Sequence, residues 1–179
     1  EMDARFIKDT GGPQTGLSTD IEIERIGRLR RVEGRNNVRL EHMQNGNRNA
    51  AAGDIGVVEF TNTGNIIRLM ADRAVDARRF VMAQDGRGMI IRSPEIEVRE
   101  GQGITRAAGP GDLRIPADQT GDGMAGQPTR VLYGESGSLI YNELALNIRV
   151  TDNVRVVQPG ADGSWAYPSL DGICDRLEI

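Results

Sequence analysis

The sequence predicts an all-β protein of short, repeated antiparallel strands, arranged as a sandwich, a barrel or a β-stack. Three observations carry this. Apolar and polar residues alternate with period two in many short runs. Turn-forming residues fall between those runs at short intervals. A corner phrase recurs along the chain.

The alternation begins at Ile21 and Ile23, spaced by Glu22 and Glu24. Val38 and Leu40 flank Arg39. Ile96 and Val98 are interleaved with Glu95, Glu97 and Arg99, and Leu113 and Ile115 with Asp112 and Arg114. The longest run is Leu144, Leu146, Ile148 and Val150. Val154 and Val156 follow after the turn Asp152-Asn153, and Leu177 and Ile179 close the chain. Period two sends successive side chains to opposite faces of a sheet. One face is apolar and the other charged, the pattern of half-buried antiparallel strands.

Turn signals stand at Asn45-Gly46, Asp85-Gly86, Gly101-Gln102-Gly103, Glu135-Ser136-Gly137 and Asp162-Gly163. Each supplies residues that accept positive φ or close an Asx turn. Residues 66–80 hold Ala71, Ala74 and Ala77, which suits a helix, but Val75, Phe80 and Val81 favour strand. Residues 1–20 read as an irregular arm and 21–179 as a single elongated β domain. The Gly- and Pro-rich segment 116–128 reads as a loop or a joint between sub-units. The start at Glu1 and the stop at Ile179, inside a strand pattern, lead to the expectation of a processed or truncated product.

The corner phrase is an apolar residue, a small or polar corner, then an alternating strand. It is written Ala71-Asp72-Arg73-Ala74-Val75, again over Ile91–Val98 (IRSPEIEV), and again over Cys174–Ile179 (CDRLEI). Physically, the corner turns the chain and the strand stacks on its predecessor.

Composition agrees with a thin stack. Apolar residues make up 38 % and aromatics 4 %, less than a compact sandwich needs for its core. The 22 basic and 26 acidic residues leave a net charge of −4, without the basic stripe of a nucleic-acid binder or a polybasic membrane segment. No run approaches the roughly 20 apolar residues of a transmembrane helix.

Catalytic chemistry is sparsely supplied. The chain has one histidine, His42, and one cysteine, Cys174, with no CxxC or HExxH spacing and no possible internal disulfide. His42 reads as a strand-end residue, and Cys174 as a buried inert thiol. Gly101-Gln102-Gly103 and Gly109-Pro110-Gly111 lack the strand–loop–helix setting of a phosphate loop. Asp118, Asp122 and Gly123 lack the spacing and closing Glu of a calcium loop. Glu95, Glu97 and Glu100 beside Arg99 read as a solvated face, and Trp165 as a core or end-cap residue. No catalytic residue, metal or cofactor is expected, and the protein is read as a binding or scaffold surface and not as an enzyme.

These phrases resemble the OstA-like family of lipopolysaccharide-transport proteins. The resemblance is carried by Met89–Val98 (MIIRSPEIEV), Gly109–Ile115 (GPGDLRI), Leu139–Asn142 (LIYN), Val154–Val157 (VRVV) and Cys174–Ile179, and covers mainly 57–179. Asn153-Val154-Arg155-Val156 looks like the family's Gly-led valine strand, with Asn in place of Gly. The resemblance implies an antiparallel β-jelly-roll or V-shaped strand stack, an apolar groove that shields acyl chains, unpaired end strands that join copies or other proteins edge to edge, and a place in the periplasm or cell envelope.

Under it, the lipid-groove residues are Val38, Leu40, Ile67, Leu69, Ile91, Ile96, Val98, Ile115, Leu146, Ile148, Val154, Val156 and Leu177. The partner is a lipid or lipopolysaccharide-like amphiphile, with no bond made or broken. The competing expectation is a self-assembling β subunit of a filament, surface layer or large envelope complex. A carrier keeps an accessible apolar cavity, whereas such a subunit fills its interior.

Overall fold

A computed structural model describes residues 30–44, 47–74, 76, 79–117, 127–166 and 168–179. Twelve strands form among the described residues: β1 (Arg31–Gln44), β2 (Asn47–Thr61), β3 (Gly64–Met70), β4 (Val81–Gln84), β5 (Ile90–Ser93), β6 (Glu95–Arg99), β7 (Ile104–Ala108), β8 (Gly111–Ile115), β9 (Thr129–Tyr133), β10 (Ser138–Asn142), β11 (Asn147–Gln158) and β12 (Leu170–Glu178). Their pairings are antiparallel, and one short 3-10 turn, Glu100–Gln102, links β6 to β7. The all-β class predicted from the alternation is the class observed.

The register shows how one sheet becomes two walls. Along one edge, β2 pairs β3 through Ile55–Thr61 and β4 through Ala50–Ala52. Likewise β11 pairs β10 through Asn147–Thr151 and β9 through Arg155–Val157. The long strands therefore serve two legs. The first leg runs β1-β2-β3-β6-β7-β10-β11-β12, and the second runs β1-β2-β4-β5-β8-β9-β11-β12. The circuit from β2 through β3, β6, β7, β10, β11, β9, β8, β5 and β4 returns to β2. No strand pairs with the outer edge of β1 or β12 among the described residues.

The legs meet along a crease, and the crease has a local cause. In β1, Asn36 and Asn37 take φ of 65° and 61°; in β11, Asp152 and Asn153 take 70° and 48°. Asn and Asp tolerate this left-handed region better than other side chains. Each pair sets two residues opposite one, an insertion of one residue. The register steps from Arg35↔Ile55 to Val38↔Gly53, leaving Asp54 opposite the first pair, and from Thr151↔Arg176 to Val154↔Cys174, leaving Asp175 opposite the second. Such bulges bend a strand without ending it.

The shorter strands cross the crease through connections at Ala71–Phe80, at Pro94, at Gly109-Pro110 and at Gly134–Gly137. Backbone hydrogen bonds tie neighbouring corners together: Ala71 N–H donates to Pro94 O at 2.8 Å, Gly109 N–H to Gly137 O at 3.1 Å, and Gly134 N–H to Asp152 O at 2.9 Å. The corner phrases at Ala71-Asp72, Ser93-Pro94 and Cys174-Asp175 stand on this line.

Several local expectations change. Strand character in 66–80 ends at Met70, and the following residues carry the chain between legs. Asp152-Asn153 does not separate two strands, because β11 continues through it. Leu144 and Leu146 precede β11 and stand in a turn, exposed, so the apolar alternation begins only at Ile148. Trp165 is 44 % exposed in the β11–β12 connection, because the core closes without it. Segment 116–128 links β8 to β9, which pair with each other. Residues 1–20, the Ile21 and Ile23 run, Asn45-Gly46 and positions 118–126 lie outside the described residues.

The inner faces pack most tightly around β8–β11, where Leu113, Val131, Leu139, Val150 and Val154 are fully buried. The outer face of the first leg is charged. Arg31 lies 3.6 Å from Glu59, Arg68 bridges Glu59 at 3.2 Å and Glu97 at 2.8 Å, and Arg99 meets Glu97 at 2.6 Å. This cross-strand ladder is the polar half of the alternation.

Candidate functional site

A cavity of about 400 Å³ lies between the legs, at the end of the molecule away from the crease. Val58, Ile67, Leu69, Ile96, Val98 and Tyr141 line it from the first leg. Leu40, Ala51, Ala83, Met89 and Ile91 line it from the second. Its mouth is formed by the β4–β5 turn at Asp85, Gly86 and Arg87, the β6–β7 turn at Arg99, Glu100 and Gly103, and Glu143 and Leu146 before β11.

The sequence explains why the space is here. In the second leg β2 meets β4 through the directly opposed pair Ala51↔Ala83. Two methyl groups cannot reach the opposite wall. Elsewhere the opposed pairs are large, Leu113↔Val131 and Leu139↔Val150, and the interior is filled. A gap of a few hundred Å³ with aliphatic walls falls within the usual range for small-molecule pockets, roughly 300–1,000 Å³.

The thirteen predicted groove residues divide. Leu40, Ile67, Leu69, Ile91, Ile96, Val98 and Leu146 line the cavity. Val38, Ile115, Val154 and Val156 belong to the closed core, and Ile148 and Leu177 pack half-buried against it. Ala51, Ala83, Met89 and Tyr141 also line the space and were not among the predicted residues. The run Ala50-Ala51-Ala52 is the signal for Ala51, since alanine is a poor strand former and leaves room where a strand is nevertheless made; no comparable signal marks Ala83, Met89 or Tyr141.

Charges ring the mouth. Glu41 lies 2.8 Å from Arg39, and a hydrogen bond from Arg48 holds its carboxyl below the ordinary carboxylate range. Asn65 Nδ2 donates to Glu100 at 2.8 Å. Asp85 Oδ1 accepts from the backbone N–H of Arg87 at 3.0 Å and of Met89 at 2.8 Å, which shapes the β4–β5 turn. Tyr141 is pushed up, first by burial and then by the charges of Glu143 and Asp85. Four carboxylates, those of Glu41, Asp85, Glu100 and Glu143, stand at the mouth with the guanidinium groups of Arg87 and Arg99, and Arg39 and Arg48 pair with Glu41 from beside it.

Cys174 is half-buried opposite Val154, packed on the core and away from the cavity lining. His42 stands in β1 opposite Asn49. Among the described residues no group of three or more His, Cys, Asp or Glu is placed to hold a metal ion. No helix among them is long and apolar enough to cross a membrane. No family model, no curated protein and no solved structure matches the chain.

Proposed function

We propose that the protein is a non-catalytic lipid-binding or lipid-bridging module of the cell envelope, of the OstA-like kind, which holds acyl chains between the two legs. The observation that carries this reading is the aliphatic cavity open at the turns. Its walls offer apolar contact and its rim offers polar contact to a headgroup, the division of an amphiphile's own chemistry. The periplasm or cell envelope is the compartment in which such a carrier works.

Ala83→Phe tests it. The added ring enters existing space, so the fold is kept and the thermal midpoint holds or rises. Uptake of a fluorescent fatty acid by the variant falls about tenfold or more relative to wild type. Native mass spectrometry of the purified wild-type protein should find an acyl lipid that the variant lacks. Equal uptake by both proteins, or no lipid on either, sinks the carrier reading.

One observation favours the second reading, a self-assembling β subunit. The outer edges of β1 and β12 are unpaired among the described residues, and an open edge accepts another strand. Concentration-dependent fibres from lipid-free protein would be its mark.

A further inference from the structure

The outer face of the second leg carries its charge unevenly. Arg92 on β5, Asp112 and Arg114 on β8 and Arg130 on β9 alternate with the inward residues Ile91, Leu113, Ile115 and Val131. Arg92 reaches Asp112 at 4.0 Å, Arg114 at 3.2 Å and Arg130 at 3.4 Å. Among the described residues no other carboxylate lies within ion-pair distance of these three, so two positive charges are left over. Elsewhere among them a carboxylate meets at most two arginines, as Glu33, Glu41, Glu59, Glu97 and Glu178 do.

Asp112 does not satisfy the cluster. Its carboxylate is only 10 % exposed, and of the three arginines only Arg114 donates a hydrogen bond to it. Arg130 Nε is buried with no acceptor among the described residues, because its approach to Asp112 is poorly aligned. Arg114 and Arg130 stand directly opposite each other across β8 and β9, and like charges so placed weaken a strand pair. The Phe80 ring steadies Arg92, 5.7 Å from its guanidinium carbon. Arg155 on β11 stays outside the cluster, held by Asp171 through hydrogen bonds of 2.7 and 2.6 Å.

We infer that Arg92, Arg114 and Arg130 form a binding site for one phosphate monoester group. Such a group carries a charge of about −1.5 to −2 at neutral pH, which matches the two uncompensated charges. Guanidinium forks take its oxygens in pairs, and an anion between Arg114 and Arg130 removes their repulsion. A patch this small, on a chain of net charge −4, suits a single phosphate and not a polyanion. The site lies on the outer wall and does not rest on the carrier reading.

Calorimetric titration with inorganic phosphate at neutral pH and low salt tests it. Wild type binds saturably, and Arg114→Gln and Arg130→Gln each weaken binding about tenfold or more. Asp112→Asn tightens it by removing the competing carboxylate, and Arg155→Gln leaves it unchanged. Without phosphate, Arg114→Gln melts at or above the wild-type midpoint, which shows that its loss of binding is not a loss of fold. The inference is overturned if wild type shows no saturable binding, or if Arg155→Gln loses as much as Arg114→Gln, the mark of an adventitious ion only. Asp118 and Asp122 stand in the sequence between β8 and β9. Binding that appears only after Asp118→Asn and Asp122→Asn would give the arginines to that segment and overturn it too.

Two further probes name the source of the phosphate, and either result upholds the site. Binding of glycerol 3-phosphate without flotation on vesicles containing phosphatidic acid assigns it to a soluble compound. Flotation that Arg114→Gln abolishes assigns it to a lipid headgroup. Fatty-acid uptake is the same in wild type and Arg114→Gln, so this inference and the carrier reading fail separately.

Discussion

The Tyr133 hydroxyl is buried on the crease side of the core without a hydrogen-bond partner. Ser93 lies beside it; its hydroxyl proton goes to Ala108 O at 2.7 Å, which leaves only its oxygen lone pairs to meet the phenol. Burial pushes the phenol to about 12, with the Ser93 contact acting in the opposite direction and the charge of Asp112 adding to the rise. A buried polar atom left unpaired costs about 1–3 kcal/mol. Tyr133→Phe should therefore leave stability unchanged or raise it by about 1 kcal/mol in urea unfolding. A loss of that size would mean that the hydroxyl has a partner.

Glu97 is the opposite case. Burial alone raises its pKa, but hydrogen bonds from Arg68 and Arg99 outweigh that and leave the carboxyl below its ordinary 4.5. A carboxyl with a depressed folded value stabilises fully above the unfolded value. The stabilisation is lost as pH falls through the folded one. Urea midpoints measured downward from pH 4.5 should therefore fall less steeply in Glu97→Gln than in wild type.

At the scale of the element, the decisive feature is the bulge of one extra residue that bends β1 and β11. Asn36-Asn37-Val38-Arg39-Leu40 and Asp152-Asn153-Val154-Arg155-Val156 are one phrase written twice. Each is answered by an aspartate on the neighbouring strand, Asp54 and Asp175. Asp54 is itself engaged: it accepts from Asp72 N–H at 2.8 Å and from Arg79 at 2.9 Å. A β-branched residue at such a φ is disfavoured by about 1–2 kcal/mol. Asn153→Val should lower stability by about that amount, and Asn153→Gly should leave it nearly unchanged. Equal effects from the two substitutions would show that the crease does not depend on the left-handed backbone. Valine alternation makes both strands legible in the sequence, but Asp152-Asn153 reads there as a turn between strands and Asn36-Asn37 carries no signal of its own. Only the pairing with β2 and β12, which continues on both sides, makes them folds within a strand.

For the whole molecule, folding one sheet along a crease creates an interior with two different ends. Around β8–β11 the opposed side chains are large and the walls touch. Near β2, β4 and β6 the alanine pair holds one wall short and leaves the cavity. The Ala83→Phe substitution acts at this scale, because it changes the volume between legs without changing any strand. A ligand that binds the folded state stabilises it in proportion to its saturation. Fatty acid should therefore raise the thermal midpoint of wild type and leave that of Ala83→Phe unmoved, a difference read by differential scanning calorimetry.

The sequence by itself determined the all-β class, the apolar and charged faces, and the corner at Pro94. These follow from period-two alternation and from the backbone preferences of Asn, Asp, Gly and Pro, which are local. Tertiary structure decided which inward residues face empty space. Ile67 and Val98 line the cavity while Val154 and Ile115 fill the core, although all four obey the same alternation. The difference lies in the residue across the interior, which period two does not specify. The structure also took Leu146 out of the strand pattern and put it at the mouth, at the tip of a turn closed by Asn142.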